Sequence, residues 1–430
     1  MDFGLKANRV MEKGEEPLAK VYSPKVVHGK GLVVVGLDGG STQGRIIIAD
    51  KHDYVSDLEG ELNNVRIIPS IHSQIATNEE IRPKSEELYD CMDSWITNSI
   101  PAPNSMFDKV RVVRGTKYID ANQGSARVNS SIQKIDTVAF YLNIIDTIAY
   151  GLITKYDVLK EEYDVYLGIS LPPDNVKSGA NREKFEKRLM GKFIWENKDL
   201  NVSITINIKG VSEQTEPEAA VKAYFAMIDE DIPEYALLIE GGGSTCGVEV
   251  LMNGRSVDAA SQTFKYGGTQ LQKTLGDIYN DAEGGNELSL IHLKRALETG
   301  VLKIGRSNKD MVPYIITAKN EIAKKLFFDI TTKVFDQTSR DFDFLSMETV
   351  LFSGRLFNSG EFEPGDDGVT GYSLSEPLIK LFKQQNPSAE YKVIKNNLIP
   401  AGNFMEALRL FGGYLEEPEI QISENETQEE

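Results

Sequence analysis

Cysteine is scarce in this chain, and its scarcity excludes several classes of protein. Only Cys91 and Cys246 occur in 430 residues, which argues against a disulfide framework and fits a reducing cytoplasm. Two cysteines also cannot build a cysteine-based zinc or iron–sulfur site. The four histidines are scattered along the sequence without the spacing of a metal-binding motif. We therefore expect a cytoplasmic protein without a metal site of these kinds.

Long apolar runs and a basic surface are lacking as well. The apolar runs, such as 32–35, have the length of a strand, whereas a membrane-spanning helix needs about 20 such residues. The first thirty residues contain no apolar segment, so no signal peptide is expected. Lys and Arg number 47 against 65 Asp and Glu, which gives a net charge of −18. A surface this acidic repels phosphate backbones, and we expect neither direct binding to nucleic acid nor a membrane partner.

The local patterns alternate between strands and helices, which is typical of an α/β protein. A chain of 430 residues is too long for one small core and suggests at least two domains. Apolar periodicity predicts helices over 136–152, 181–190, 217–228, 374–385 and 404–415, with mostly helical structure over 269–340. β-branched and alternating runs predict strands over 32–38, 45–50, 64–68, 110–113, 164–171, 202–208, 235–240, 248–252, 349–352 and 391–398.

An internal repeat is the most informative feature of the sequence. Residues 32–50 read LVVVGLDGGSTQGRIIIAD, and residues 237–253 read LLIEGGGSTCGVEVLMN. Each is an apolar strand, an acid, a glycine run that ends in Gly-Gly-Ser-Thr, one residue, a glycine and a second strand, and the second copy has one more glycine after its acid. The two acids, Asp38 and Glu240, lie about two hundred residues apart. A recurrence at that distance indicates two related domains facing each other, because solenoid repeats are far shorter.

The chemistry of such a hairpin suits an anion. Glycines let the backbone approach a ligand closely, successive N–H groups in a tight turn form an anion-binding nest, and Ser and Thr add hydroxyl donors. One such hairpin is usually only a tight turn, but two near-copies favour phosphate binding. Neither copy is a Walker loop, because no Gly-Lys-Ser/Thr follows, and neither is a Rossmann loop, because a strand follows instead of a helix. An acid this close to phosphates makes sense if a hydrated Mg²⁺ lies between them.

Together these motifs resemble those of the actin-like ATPase superfamily, which includes actin, the ATPase domains of heat-shock chaperones and sugar kinases. The resemblance covers roughly residues 31–415, and all five motifs of that superfamily have candidates here in the same order. They are phosphate 1 (Asp38-Gly39-Gly40-Ser41-Thr42), connect 1 (Glu216-Pro217-Glu218-Ala219-Ala220), phosphate 2 (Glu240 to Thr245), the adenosine motif (Thr349 to Leu356) and connect 2 (Pro400 to Gly413).

Two positions depart from the pattern of that superfamily. Phosphate 2 normally begins with Asp, and here Glu240 is one methylene longer. The adenosine motif normally has paired glycines, and here Ser353 replaces the first. The first three motifs are fairly specific as a set, whereas the last two are weak alone. The departures bear on the geometry around the metal and the adenine.

The resemblance implies an α/β, actin-like two-domain fold, built from duplicated ribonuclease-H-like domains with a nucleotide cleft between them. Domain I is expected over 31–222 plus 396–415, and domain II over 223–395. Residues 1–30 would form an N-terminal extension. The end of the chain, 416–430, is strongly acidic and is expected to be a disordered tail.

The resemblance also implies roles for individual residues, with ATP and Mg²⁺ as ligands and GTP left open. Glu216 would orient the attacking water; the alternative is a carboxylate that only complements the helix dipole. Asp38 and Glu240 would hold the magnesium, through its waters. The phosphates would be bound by Gly39, Gly40, Ser41 and Thr42 on one side and by Gly241, Gly242, Gly243, Ser244 and Thr245 on the other.

Fewer positions are expected to contact the nucleoside. Gly354, between Ser353 and Arg355, would let the backbone lie against the adenine. Lys294 and Arg295 are candidates for the ribose side, with solvation at the surface as the favoured alternative.

Within the superfamily the chain is most similar to bacterial plasmid-segregating actins of the ParM type. The Pro69-Ser70 segment and the stretch 163–195 carry that resemblance. It implies head-to-tail filaments, which extend because a heterologous contact does not close. It also implies that DNA is moved through a separate DNA-binding adaptor protein.

Other members of the superfamily offer competing interpretations. The main alternative is a small-molecule, sugar-type kinase, with Asp174 as a conceivable base. A chaperone is disfavoured because only about fifteen residues follow connect 2, and a membrane-bound actin because neither terminus is a basic amphipathic helix.

Overall fold

The structure of the protein, a computed structural model, describes most of the chain. The described ranges are 24–39, 43–56, 65–69, 71–75, 92–114, 134–176, 179–198, 200–284, 288–305, 307–335, 343–357 and 368–416. Several predicted features lie outside these ranges. They include residues 40–42 of the first hairpin turn, Ser70, most of the N-terminal extension and nearly all of the acidic tail.

In the described part of the first half, nine strands form one mixed sheet. They are β1 (Lys25–Gly39), β2 (Gln43–Asp50), β3 (Arg66–Pro69), β4 (Ile71–Ile75), β5 (Met92–Asn98), β6 (Lys109–Arg114), β7 (Val158–Leu171), β8 (Gly191–Asn197) and β9 (Val202–Thr215). Their order is β3-β2-β1-β7-β9-β8-β5-β6-β4.

A second sheet is formed by strands of the second half. Its members are β10 (Tyr235–Gly241), β11 (Cys246–Met252), β12 (Arg255–Ser256), β13 (Gln262–Phe264), β16 (Thr349–Ser353) and β17 (Glu390–Val393). The order is β12-β11-β10-β16-β17, with β13 also paired to β11. A separate hairpin joins β14 (Val301–Ile304) to β15 (Ser307–Asp310).

The two sheets contain the same five-strand unit. In the first, β1 pairs antiparallel with β2, which pairs antiparallel with β3, and β1 then continues through parallel β7 to parallel β9. In the second, β10, β11, β12, β16 and β17 repeat this pattern of direction and order. The duplication that the repeated hairpin predicted is therefore present in the topology.

Eleven α-helices among the described residues complete the layers. They are α1 (Lys51–Ser56), α2 (Val138–Lys155), α3 (Pro173–Val176), α4 (Gly179–Leu189), α5 (Glu216–Ile228), α6 (Gly268–Glu283), α7 (Leu290–Thr299), α8 (Val312–Ile330), α9 (Ser375–Gln385), α10 (Ile399–Phe411) and α11 (Gly413–Glu416). No helix in the described part of the chain is long and apolar enough to cross a membrane.

Several predicted elements differ from the structure; the strand expected over 202–208 continues to Thr215, and the strand expected over 391–398 ends at Val393. The strand expected over 32–38 begins at Lys25, inside the expected extension, because its backbone pairs with β7 from Val158 onward. The helical stretch expected over 269–340 is interrupted by the β14–β15 hairpin. The helix expected over 404–415 begins at Ile399, on a proline in its first turn, and is broken before α11.

The buried apolar residues of the described ranges form three clusters, and the third joins the two halves. One lies on the first sheet with α2, and another on the second sheet with α6 to α9. The third surrounds α5 and α10 and contains Val34 and Ile47 of the first sheet together with Leu238 and Leu351 of the second. The helices carrying the connect motifs therefore lie between the two sheets.

Candidate functional site

The carboxyl ends of three parallel strands meet at one edge of the first sheet. Leu37 of β1 pairs with Ile169 of β7, and one residue further Ser170 pairs with Gln214 of β9. Asp38 follows Leu37, and Glu216 follows the last residue of β9. Two strand spacings, about 10 Å, separate β1 from β9. The topology thus brings the acid of phosphate 1 close to the start of connect 1.

Asp38 is buried at this edge and is held by two side chains that the sequence motifs did not include. Its side chain is 9% exposed. Asn397 Nδ2 donates to Asp38 Oδ2 at 3.0 Å, and Arg45 Nη1 lies 3.6 Å from the same oxygen. Arg45 is directly opposite Asp38 in the hairpin register, so its place could have been found from the pattern. Asn397 is 359 residues away, and no local signal indicates it.

Replacing Asn397 is expected to destabilise this edge. Its Oδ1 also accepts from the N–H of Ile399, the first residue of α10, and so satisfies a donor at that helix start while its amide holds Asp38. Asn397→Ala removes both roles, and we expect a loss of about 1–2 kcal/mol in urea unfolding. Asn397→Asp keeps an acceptor for Ile399 but places a second carboxylate beside Asp38, so we expect at least as large a loss. Wild-type stability of Asn397→Asp would show that only the bond to the Ile399 N–H matters, and that the amide bond to Asp38 does not contribute to stability.

Asn403 of α10 forms hydrogen bonds with residues of β1, β7 and β9 at the edge that carries Asp38. Its Nδ2 donates to the Leu37 carbonyl oxygen at 2.8 Å and to Ser170 Oγ at 3.0 Å, and its Oδ1 accepts from Gln214 Nε2 at 3.0 Å. Asn403 is fully buried, so each of these bonds satisfies a group shielded from water. The connect 2 segment therefore fixes the edge on which Asp38 lies.

Glu240 is the last residue but one of β10, the position that Asp38 has in β1. It is 7% exposed. Burial, and secondarily the charge of Glu240, raise the pKa of the Cys246 thiol well above its ordinary value, so that cysteine stays neutral. A Cβ on Gly354 would lie 2.5 Å from Glu240 Oε1 and 2.4 Å from the Gly241 carbonyl oxygen. Gly354 also has φ of +90°, so only glycine fits beside this acid.

The turn of the second hairpin is supported by the start of α6. The Gly242 N–H donates to the Thr245 carbonyl oxygen at 2.8 Å and is engaged inside the turn. Gly268 N–H and Thr269 N–H donate to the carbonyl oxygens of Gly242 and Gly243 at 3.1 and 2.8 Å. These residues of α6 were not among the site residues predicted from the sequence. The one local signal for their contact with the turn is the Gly-Gly pair at 267–268.

Glu216 opens α5 on a well-defined helix start. Thr215 is the N-cap, and its Oγ1 accepts from the Glu218 N–H at 3.1 Å. Pro217 occupies the first turn, where its missing N–H costs nothing. A Cβ built on Gly247 of the second hairpin would lie 3.5 Å from ring atoms of both Pro217 and Pro173. The start of α5 therefore touches the hairpin that carries Glu240.

The remaining predicted contacts lie in the second half of the chain. Ser353 is buried and pairs with Glu240 across parallel strands. The Arg355 guanidinium lies 4.9 Å from the centre of the Tyr372 ring. Lys294 is half exposed on α7, with its Nζ 3.9 Å from Glu298 Oε1, as expected for a solvated surface. The side chain of Asp174 lies outside the described residues.

The acids of this site suit a hydrated Mg²⁺ better than a directly bound transition metal. Among the described residues, no three His, Cys, Asp or Glu side chains are arranged to hold a metal ion. Mg²⁺ does not need such a cage, since it keeps several waters and uses one or two carboxylates together with phosphates. Asp38 and Glu240, each buried at the carboxyl end of a hairpin strand, supply oxygens of that kind.

Solved structures similar to this chain have the actin-like fold. An archaeal actin homologue in complex with ADP aligns over 88% of this chain and 99% of its own, with 14% identity and a TM-score of 0.56. ParM of Bacillus thuringiensis with ATP aligns over 88% and 99%, with 14% identity and a TM-score of 0.54. A non-polymerisable quadruple mutant of pCBH ParM aligns over 89% and 100%, with 16% identity and a TM-score of 0.55. No protein family and no curated protein matched the sequence.

These similarities confirm the predicted fold class. The chain has the α/β, two-domain fold of actin-like ATPases, and the similarity extends over about nine tenths of it. At 14–16% identity they show the fold, and the roles of individual residues rest on the geometry described above.

Proposed function

We propose that this protein, which has the actin-like fold, binds Mg-ATP between its two glycine-rich hairpins and hydrolyses it. The observation that carries the proposal is the duplicated hairpin, with a buried acid at the end of each first strand. The start of α5, with Glu216, lies against the second hairpin through Pro217 and Gly247. The domains would be 31–222 plus 396–415 and 223–395, meeting in α5. The cleft between them would take the triphosphate.

The proposed roles follow from the chemistry of the residues. Asp38 and Glu240 would hold the waters of Mg²⁺, which would neutralise charge on the β- and γ-phosphates. Amides of Gly243, Ser244 and Thr245 would face the phosphates from one side and residues 39–42 from the other. Glu216 would orient and polarise the attacking water, in line with the γ-phosphate. The Arg45 guanidinium, which lies 3.6 Å from Asp38 Oδ2, helps to hold that acid in place.

Polymerisation is the second part of the proposal. The similarity to ParM structures, one of them a mutant described as non-polymerisable, supports head-to-tail assembly. ATP would favour the filament, and hydrolysis would release its subunits. With a net charge of −18, the chain would move plasmid DNA in the cytoplasm through a separate DNA-binding adaptor.

Light scattering and phosphate release test the proposal together. Purified protein is mixed with Mg-ATP, with Mg-ADP, with Mg-GTP, or with ATP and EDTA. We expect scattering to rise with Mg-ATP and to decay after phosphate release. It should stay low with ADP or without magnesium, because Mg²⁺ would neutralise the charge of the β- and γ-phosphates beside the two acids.

Three negative results would each contradict a different part of the proposal. Phosphate release without scattering, over a range of protein concentrations, would contradict the filament and leave an ATPase or a small-molecule kinase. Binding of ATP without phosphate release would contradict hydrolysis. Equal responses to GTP would contradict a specific adenosine pocket around Gly354.

A further inference from the structure

One buried carboxylate of the second hairpin has no role in the metal or phosphate contacts proposed above. Glu249 lies in β11, an otherwise apolar strand, and is fully shielded from solvent. Alternation along a strand places Glu249 on the same face as Gly247 and Leu251. Leu251 packs with Ala219 and Ala220 of α5 in the third apolar cluster. Glu249 therefore faces the helix that begins with Glu216.

Glu249 is tied to the cap of that helix. Thr215 Oγ1 donates a hydrogen bond to Glu249 Oε2. The same hydroxyl oxygen accepts from the Glu218 N–H at 3.1 Å, so one threonine connects the carboxylate to the first turn of α5. The partial positive charge at the helix N-terminus favours a carboxylate there. These contacts offset part of the cost of burying an acidic side chain in an apolar strand.

We propose that Glu249 is a positioning residue for Glu216. By holding Thr215 it fixes the first turn of α5 relative to the second hairpin, and so fixes the carboxylate that orients the attacking water. Glu249 belongs to the same hairpin as Glu240 and the turn 242–245. A shift of that hairpin on phosphate binding would therefore reach Glu216 through Thr215. This role rests on the proposed ATPase function.

Paired substitutions in the full-length chain test the link. Glu249→Leu removes the acceptor, and Thr215→Val removes the donor. Glu249→Gln and Thr215→Ser keep the oxygen atoms that the hydrogen bond needs. Ser261→Ala is a matched control, because it removes a buried hydrogen bond to the Val257 carbonyl oxygen in the same half of the molecule. Steady-state phosphate release gives kcat, titration of labelled ATP gives Kd, and hydrogen exchange reports the start of α5.

A specific pattern of results is expected. Glu249→Leu and Thr215→Val should each lower kcat about tenfold or more, because a small misplacement of a catalytic group is costly, with Kd changed less than about threefold. The double variant should be no worse than Thr215→Val alone, since Glu249 acts on α5 through Thr215. Thr215→Ser and Ser261→Ala should stay near wild type, and Glu249→Gln should retain more activity than Glu249→Leu. Exchange at 216–219 should quicken in the two disruptive variants alone.

The contrary outcomes are distinguishable. Wild-type kcat in a folded Thr215→Val or Glu249→Leu variant would overturn the positioning role while leaving the ATPase proposal intact. Unchanged exchange at the start of α5, or additive losses in the double variant, would also overturn it. A wild-type protein that binds ATP without releasing phosphate would overturn the proposed function and this role with it.

Discussion

Glu216→Ala is expected to bind Mg-ATP and to polymerise, but to release phosphate at least about a hundredfold more slowly than the wild type. A loss of this size is usual when a positioned acid–base group is removed. Its filaments should therefore persist where those of the wild type decay. The reason is local: Glu216 is the first residue of α5, and the Pro217 beside it contacts the second hairpin. The measurement is scattering and phosphate release on the same sample after addition of Mg-ATP.

Glu218→Ala provides the matched control. Glu218 also lies in the first turn of α5, so its removal costs the same interaction with the helix dipole. Its carboxylate is engaged 2.7 Å from Lys222 Nζ, away from the role assigned to Glu216. We expect Glu218→Ala to keep most of the phosphate release. A large loss in Glu218→Ala with normal turnover in Glu216→Ala would move the catalytic assignment to Glu218.

The hairpins and the helix start were predictable because their signals are local. An acid, two glycines and a hydroxyl pair within a few residues identify a tight turn from the local sequence alone. Thr-Glu-Pro-Glu at 215–218 carries an N-cap and a first-turn proline, and α5 does begin at Glu216 and end at Ile228. The α/β class followed from the same kind of short-range pattern.

Contacts between distant residues could not be predicted in this way. Asn397 and Asp38, which form a hydrogen bond, are 359 positions apart in the sequence. Thr215 and Glu249 form a hydrogen bond only because α5 packs on the second sheet. The early start of β1 was missed because residues 25–31, with two glycines and a histidine, resemble a loop in isolation. Pairing with β7 and the Lys30–Asp164 ion pair at 2.8 Å hold it in the sheet. Tertiary pairing overrode a weak local preference.

The β14–β15 hairpin was missed for a related reason. Its four-residue strands lie between α7 and α8, so apolar positions from both helices dominate any window that includes them. The one local signal was Gly305, whose φ of +60° forms the turn. A single glycine between two strongly periodic segments does not separate a hairpin from a helix break.

Gly402→Ala is expected to be strongly destabilising in the region between the two sheets. Gly402 lies in α10 where that helix crosses α5, and a Cβ there would be 1.9 Å from the carbonyl oxygen of Ala219 and 2.5 Å from its carbonyl carbon. Both are backbone atoms of a packed helix, so the clash can be relieved only by moving the helices apart. We expect a loss of about 3 kcal/mol, at the upper end of overpacking effects.

Gly413, a glycine of the last described helix, provides the control. Gly413 begins α11, and nothing lies within 4 Å of a Cβ built on it. Alanine is the better helix former by up to about 1 kcal/mol, so Gly413→Ala should be neutral or stabilising. The same propensity favours Ala at 402, where the close approach of α5 opposes it. Urea unfolding followed by circular dichroism decides between the two effects. Equal stability of both variants would mean that α5 and α10 separate at little cost, which would contradict the tight crossing on which the placement of Glu216 and Asn403 depends.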